Sequence, residues 1–160
     1  MEQKQGGAVR LARPRDIEGW MELVERVKAE FPGLETAGAV AEHRAAVLDF
    51  IQNSSAVCAE KNGRIVGALL FSKESGTLCF LAVDPDSRRQ HIARELVSLM
   101  LARMDEDRDV AVTTYREGDP RGAAARAFYK RMGFSEGEMG EEFGCPVQQF
   151  ILRRARAGQT

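Results

Sequence analysis

Residues 78–94 read LCFLAVDPDSRRQHIAR, and the rest of the chain is best understood outward from them. An apolar strand from Leu78 to Val83 meets an Asp84-Pro85 turn, then a short basic loop, then the start of an amphipathic helix. That succession gathers backbone N–H groups at a helix N-terminus, where the first amides lack partners and the helix dipole favours negative charge. Arg88 and Arg89 stand just before the helix, placed to meet the oxygens of an anion such as pyrophosphate.

On the N-terminal side, Ala8 to Arg13 reads as a first strand. Pro14 and Asp16 open a helix whose apolar positions are Ile17, Trp20, Met21, Val24, Val27 and Phe31, at three-and-four spacing. Pro32-Gly33 ends it. A second helix is expected from about Val40 to Gln52, with Val47, Leu48 and Ile51 on one face and His43 on its outer, surface side. Two β-rich runs follow, Ala56 to Glu60 and Ile65 to Phe71, joined by Asn62-Gly63, a hairpin signal because both residues tolerate positive φ. Ser75-Gly76 marks a turn before the strand Thr77 to Val83.

On the C-terminal side, the helix His91 to Asp105 carries an inner stripe of Ile92, Leu96, Leu99, Met100 and Met104. The strand Asp109 to Thr114 comes after a crossover helix, so it is expected to lie parallel to the strand before it. A helix from about Gly122 to Met132 and strands near Phe134 to Glu138 and Val147 to Leu152 close the chain. The expected class is α/β: a mixed, mostly antiparallel twisted sheet with helices on both faces. One domain spans 8–153, with 1–7 and 154–160 as flexible termini.

Composition limits the function classes. The chain has 160 residues, 44% apolar and 29% charged, enough for one ordinary core. Lys and Arg total 23 against 24 Asp and Glu, a net charge of -1, which argues against nucleic acid held by bulk charge. Three cysteines, Cys58, Cys79 and Cys145, have no metal-like spacing, and no metal is expected. Cys58 and Cys79 fall in apolar strand-like runs, where a thiol acts as a small hydrophobe. The odd cysteine count and the absence of a signal peptide point to a reducing cytoplasm. The longest apolar run is far short of a membrane span, so no membrane partner is expected.

Two motifs, taken in order, resemble the GCN5-related N-acetyltransferase (GNAT) family. LAVDPDSRRQHIA (81–93) is similar to its acyl-CoA strand and pyrophosphate loop, whose pattern is Arg/Gln-x-x-Gly-x-Gly/Ala. AARAFYKRMGF (124–134) is similar to its second signature, a helix that supplies a tyrosine and ends in Gly-Phe. The order of elements from Ala8 to Leu152 agrees. The resemblance implies the acyl-CoA N-acyltransferase fold and acetyl-CoA as cofactor. It implies that the backbone of Leu81, Ala82 and Val83 pairs with the pantetheine arm and that the amides of Arg88, Arg89, Gln90, His91, Ile92 and Ala93 hold the pyrophosphate. Gly122, Ala125 and Phe128 complete the cofactor set. Two positions depart from the pattern. His91 replaces the central glycine, where it either crowds the loop, points outward to offer an N–H to phosphate, or sits exposed in an ordinary right-handed first turn. Gly122 stands where many relatives have asparagine.

Acetylating an amine requires a neutral amine, a polarised carbonyl and a proton for the leaving thiolate. The Val83 N–H is the position the family would use for the carbonyl. Tyr129 is the candidate general acid, because a phenol can donate to sulfur; its alternative is a plain helix aromatic. The base is either Glu117, with Asp84 and Glu30 as weaker choices, or a chain of water that leaves no trace in sequence. Glu117 also reads as a solvated loop carboxylate in the string Arg116-Glu117-Gly118-Asp119. For the acceptor, the likeness points to Phe31, Pro32, Glu35, Glu141, Glu142 and Phe143, acidic and aromatic groups suited to a cationic amine, although Glu138, Glu141 and Glu142 also read as a solvated loop.

The reading is therefore an acetyl-CoA-dependent N-acetyltransferase that acts on a primary amine of a small molecule or peptide by direct transfer. The alternative is a catalytically weak acyl-CoA-binding sensor or interaction module of the same fold. A dinucleotide enzyme is disfavoured because no Gly-x-Gly-x-x-Gly follows the first strand. A homodimer is left open, with the last strand as the edge to consider.

Overall fold

The computed structural model describes residues 8–31, 33–88 and 90–154; Pro32, Arg89 and the segments 1–7 and 155–160 lie outside them. Seven strands form one sheet in the order β1-β2-β3-β4-β5-β7-β6. They are β1 (Ala8–Leu11), β2 (Ala56–Lys61), β3 (Arg64–Ser72), β4 (Thr77–Val83), β5 (Val110–Tyr115), β6 (Ser135–Glu142) and β7 (Cys145–Leu152). Every neighbouring pair is antiparallel except β4 and β5, which run parallel as the crossover helix requires. The last strand is not an edge. β7 lies between β5 and β6, because a tight hairpin at Phe143-Gly144 folds β6 back outside it. The edges are β1 and β6.

Helices α1 (Ile17–Val27) and α2 (Ala37–Gln52) cover one face; α3 (Ile92–Arg103) and α4 (Ala123–Arg131) cover the other. On the first face, Trp20, Leu23, Val24 and Val27 pack with Val47, Cys58, Ala68 and Ala82. On the second, Ile92, Leu96, Val97 and Met100 pack with Val57, Leu69, Phe71, Tyr129 and Phe150. Each such large side chain contributes roughly 1.5–3 kcal/mol of burial. Helix α2 starts three residues before the expected Val40, because Thr36 Oγ1 accepts the Ala39 N–H at 3.0 Å and caps it. The Asn62-Gly63 turn forms as expected, with φ of 54° and 75°.

One irregularity shapes the site. Leu70 pairs with Phe80 and Phe71 with Leu78, so Cys79 is an extra residue in β4, a β-bulge. The bulge sends Leu78 into the α3/α4 core and Phe80 into the α1/α2 core. It also leaves Cys79 exposed, contrary to the expected buried thiol. Cys58 does behave as a small hydrophobe, and burial pushes its thiol up to about 12.

Candidate functional site

β4 and β5 part company early. Their register rests on Thr77 opposite Ala111, with the Ala111 N–H donating to Gly76 O at 2.9 Å. Further along β4, the Asp84 N–H bonds Val66 O at 2.8 Å. Antiparallel alternation then gives residues 82 and 84 to β3 and turns the N–H and C=O of Leu81 and Val83 towards the opening beside β5. Ala82 differs from its neighbours: its backbone faces β3 and its side chain lies in the α1/α2 core. Two of the three expected strand residues therefore present an edge on which an extended ligand could pair.

The opening has an apolar wall. Leu81 and Val83 from β4 and Ala125 and Phe128 from α4 border the same cluster that holds Tyr129 and Ile92. Leu81, Val83, Ile92, Ala125, Phe128 and Tyr129, six of the sequence-predicted residues, thus converge. Tyr129 is 4% exposed and meets Phe128 and Phe134 at 5.4 Å and Phe150 at 6.1 Å between ring centroids. Burial pushes its phenol well above the usual tyrosine range, so it stays protonated at neutral pH. Helix α4 is fixed by Arg126, buried at 6% exposure, which donates to Tyr115 O (3.1 Å), Gln148 Oε1 (2.9 Å) and Glu136 Oε2 (2.6 Å).

The anion loop is held from three sides. Asp84, 1% exposed, pairs with Arg26 at 3.0 Å and Arg64 at 3.5 Å, and its Oδ1 accepts the Asp86 N–H at 2.9 Å. It anchors the turn to α1 and β3, and its carboxylate is not available as a base. Arg88 folds back on Val83 O at 3.1 Å and pairs with Glu30 at 2.9 Å, which occupies that weaker base as well. Gln90 accepts from Lys61 at 2.8 Å through its side chain, and Ile92 buries its own in the core, so these two offer a ligand their backbone N–H groups. Ala93 is half-buried in the first turn of α3.

His91 is exposed, but its backbone is left-handed, with φ 64° and ψ 19°, as the N-cap of α3. The expected right-handed first turn is corrected, and the family's glycine acquires a reason: an L-residue is strained in this region. Gly122 also has a local cause. An added Cβ would stand 2.7 Å from Tyr115 Cβ, so the space an asparagine needs is filled.

The acceptor-side residues come together in part. Phe31 is half-buried and meets Phe80 at 4.8 Å. Glu35 accepts the Gly33 N–H at 3.0 Å. The Phe143 ring, 72% exposed at the hairpin tip, lies against Gly33, so the β6–β7 hairpin touches the α1–α2 connection. Glu141 and Glu142 are exposed strand residues of β6, beside that tip, and Glu138 is on the same strand rather than in a loop. Glu117 is exposed on the turn after β5 and makes no hydrogen bond or ion pair with Tyr129 among the described residues.

Two groups escaped the sequence reading. His43, expected on the outer side of α2, is half-buried. Its Nε2 accepts the Trp20 Nε1–H at 3.3 Å and its ring meets Phe80 at 4.7 Å, and burial lowers its pKa. Burial thus disfavours the charged ring, and its Nε2 lone pair is taken up by Trp20. Tyr115, 3% exposed, ends β5 beneath the guanidinium of Arg121, 4.1 Å from its ring. The turn signals around it drew no attention to an aromatic at a strand end.

The described fold is similar to solved acetyltransferases. It matches a GNAT-family acetyltransferase from Bacillus cereus at 19% identity, covering 93% of this chain and 98% of that one, with a TM-score of 0.73. It matches Ard1 from Thermoplasma volcanium at 21% identity, covering 94% and 99%, with a TM-score of 0.72. It also matches yncA from Salmonella typhimurium, solved with acetyl-CoA, at 17% identity, covering 96% of each chain, with a TM-score of 0.72. No curated protein sequence matches the chain. The family pattern described as "Acetyltransferase (GNAT) domain" matches residues 52–136, from the end of α2 through β2, β3, β4, the anion loop, α3, β5 and α4 into β6. Matched over more than half its length, the chain belongs to the GNAT acetyltransferase family, whose cofactor is acetyl-CoA.

Proposed function

We propose that this N-acetyltransferase moves an acetyl group directly from acetyl-CoA to a primary amine of a small molecule or peptide. The observation that carries the reading is the edge of β4 at Leu81 and Val83, which no neighbouring strand pairs, ending at the N-terminus of α3 and walled by Tyr129. The site suits the cofactor: a strand edge for the amides of pantetheine, and the free amides of Ile92 and Ala93 for the diphosphate. Arg88 would join them by leaving Val83 O, and Arg89 adjoins it in sequence. Acetyl-CoA supplies an activated thioester.

The chain's own residues then divide the work. The Val83 N–H, aimed into the opening, would polarise the carbonyl from a rigid strand. Tyr129, kept protonated by burial, would give its proton to the departing sulfur, and the aromatic rings around it exclude water. A lysine-like amine is only about 0.1% neutral near pH 7.4, a cost of about 4 kcal/mol, so deprotonation must be assisted. With Asp84 and Glu30 engaged, Glu117 or an ordered water chain remains for that task. The acidic β6 and its aromatic hairpin tip suit a cationic acceptor.

Incubation with acetyl-CoA and a panel of primary amines, with release of free thiol as the readout, tests the reading. Thiol release that needs the amine supports it; cofactor binding with no release for any amine opposes it. The second reading, an acyl-CoA sensor with weak turnover, draws on the strained His91 in the phosphate loop and on the lack of a carboxylate along β4. It expects that second outcome.

A further inference from the structure

Among the described residues no hydrogen bond fixes the hydroxyl of Tyr129; its ring contacts and the place of α4 aim the phenol. That helix is poorly secured by its own means. It has nine residues, fewer than an isolated helix needs to persist, and no side chain caps its N-terminus. Its placement must come from outside.

Arg126 supplies it. It stands one turn before Tyr129 on the same face of α4. Its Nη1 donates to Tyr115 O at the end of β5 and to Gln148 Oε1 on β7, and its Nη2 donates to Glu136 Oε2 on β6. One guanidinium thus ties α4 to three strands, a fork that lysine does not reproduce. Gln148 is itself held, its Nε2 donating to Gly137 O at 3.0 Å. The guanidinium carbon lies 4.9 Å from the centre of the Phe150 ring, the ring that Tyr129 meets at 6.1 Å. Arg126 and Tyr129 therefore share one platform, and the end of β5, beside the opening, is pinned to the helix that carries the phenol. Stability alone gives no reason for a cation here, since replacing a buried ion pair by apolar groups of like volume is often neutral or stabilising.

Resting on the transferase reading above, we propose that Arg126 is a positioning residue for acetyl transfer: through β5, β6, β7 and the shared Phe150 ring it sets where the Tyr129 hydroxyl stands in the opening. Buried between helix and sheet, it acts through Tyr129 rather than on the reacting atoms. A proton passes to a departing sulfur over a hydrogen-bond length, so a displacement of about 1 Å costs on the order of 10²-fold in rate.

R126M, close in volume, and R126K, which keeps the charge without the fork, test this in the wild-type and Y129F proteins. R126M strands no carboxylate, because Glu136 keeps Lys130 at 3.1 Å. With acetyl-CoA and n-pentylamine as the probe acceptor, R126M should lower kcat about 10²-fold and R126K about tenfold. The KM for acetyl-CoA should stay within about twofold, since Leu81, Val83 and the anion loop lie on other elements. In Y129F the same changes should cost no more than about twofold in kcat, as expected of a residue that acts through Tyr129. A loss by the same factor in both backgrounds, or full kcat in R126M, overturns the assignment. A second measurement needs no turnover. The chain has two tyrosines, so fluorotyrosine labelling gives two fluorine resonances, and Y129F identifies that of Tyr129. Its frequency should be the same in light and heavy water in wild type, where the ring is buried, and should differ between them in R126M, where the ring is released. A lost melting transition in R126M moves both measurements to R126K. Where n-pentylamine releases no thiol, or Y129F keeps full activity and the acid reading falls, the fluorine signal decides: a ring newly open to solvent upholds Arg126 as the residue that places it, and a ring still shielded removes the proposal.

Discussion

Replacing His91 tests the most unusual backbone position of the cofactor loop. Its φ of 64° and ψ of 19° lie in the left-handed region, which costs an L-residue roughly 1–2 kcal/mol; His tolerates it better than most, so about 1 kcal/mol is the working figure. Glycine removes that strain but gives the unfolded chain more freedom, an opposing effect of about 0.5 kcal/mol or more. His91→Gly should therefore stabilise by about 0.5 kcal/mol, raising Tm by about 1–2 °C in a chain of this size. His91→Val should go the other way by about 1–2 kcal/mol, because a β-branched residue is a true outlier there. Urea unfolding of the three proteins gives the stabilities, and calorimetry with coenzyme A gives the affinities. Affinity should improve in His91→Gly, since no Cβ then stands at the diphosphate. If glycine and valine destabilise equally, the imidazole itself is stabilising the turn and the strain argument is wrong.

Three further outcomes are expected. Tyr129→Phe should lower kcat by about 10²–10⁴ while thermal stabilisation by coenzyme A persists; full activity would return Tyr129 to the core as a packing residue. Gly122→Ala places a Cβ 2.7 Å from Tyr115 Cβ and should destabilise by about 1–3 kcal/mol in urea; no loss would mean that the β5 end shifts freely. The pKa of His43 is lowered by folding, so the unfolded chain takes up a proton first as pH falls. Stability tied to His43 is fully present above about pH 6.5 and is lost as pH drops from there towards the folded value. Trp20 is the single tryptophan, and its N–H loses its acceptor when His43 protonates. Its fluorescence should titrate with a midpoint below about 6.5, and a midpoint above it contradicts the burial of His43.

How much of this was readable in sequence follows from the range of each signal. The Asn62-Gly63 hairpin, the β4–loop–α3 passage and the Ala125/Phe128/Tyr129 face are local patterns, and each stands where it was expected. The bulge at Cys79 was not legible, because it depends on how β3 pairs across Leu70 and Phe71. β6 was placed too short: exposed on both faces as SEGEMGEE, it has no alternation to read. The first turn at His91 misled because a helix N-cap does not reveal the sign of its φ. His43 and Tyr115 acquire their surroundings from other elements, Trp20 and Phe80 for one, Arg121 and Gly122 for the other. Gly122 reads as a missing asparagine until Tyr115 is seen filling its space.

Amide hydrogen exchange with and without coenzyme A bears most directly on the cofactor site. Protection should rise on binding at Leu81, Val83, Ile92 and Ala93, and Ala82, already bonded across to β3, should change little. Protection confined to other strands, or none at all at saturating coenzyme A, would contradict the placement of the cofactor along β4 and the start of α3.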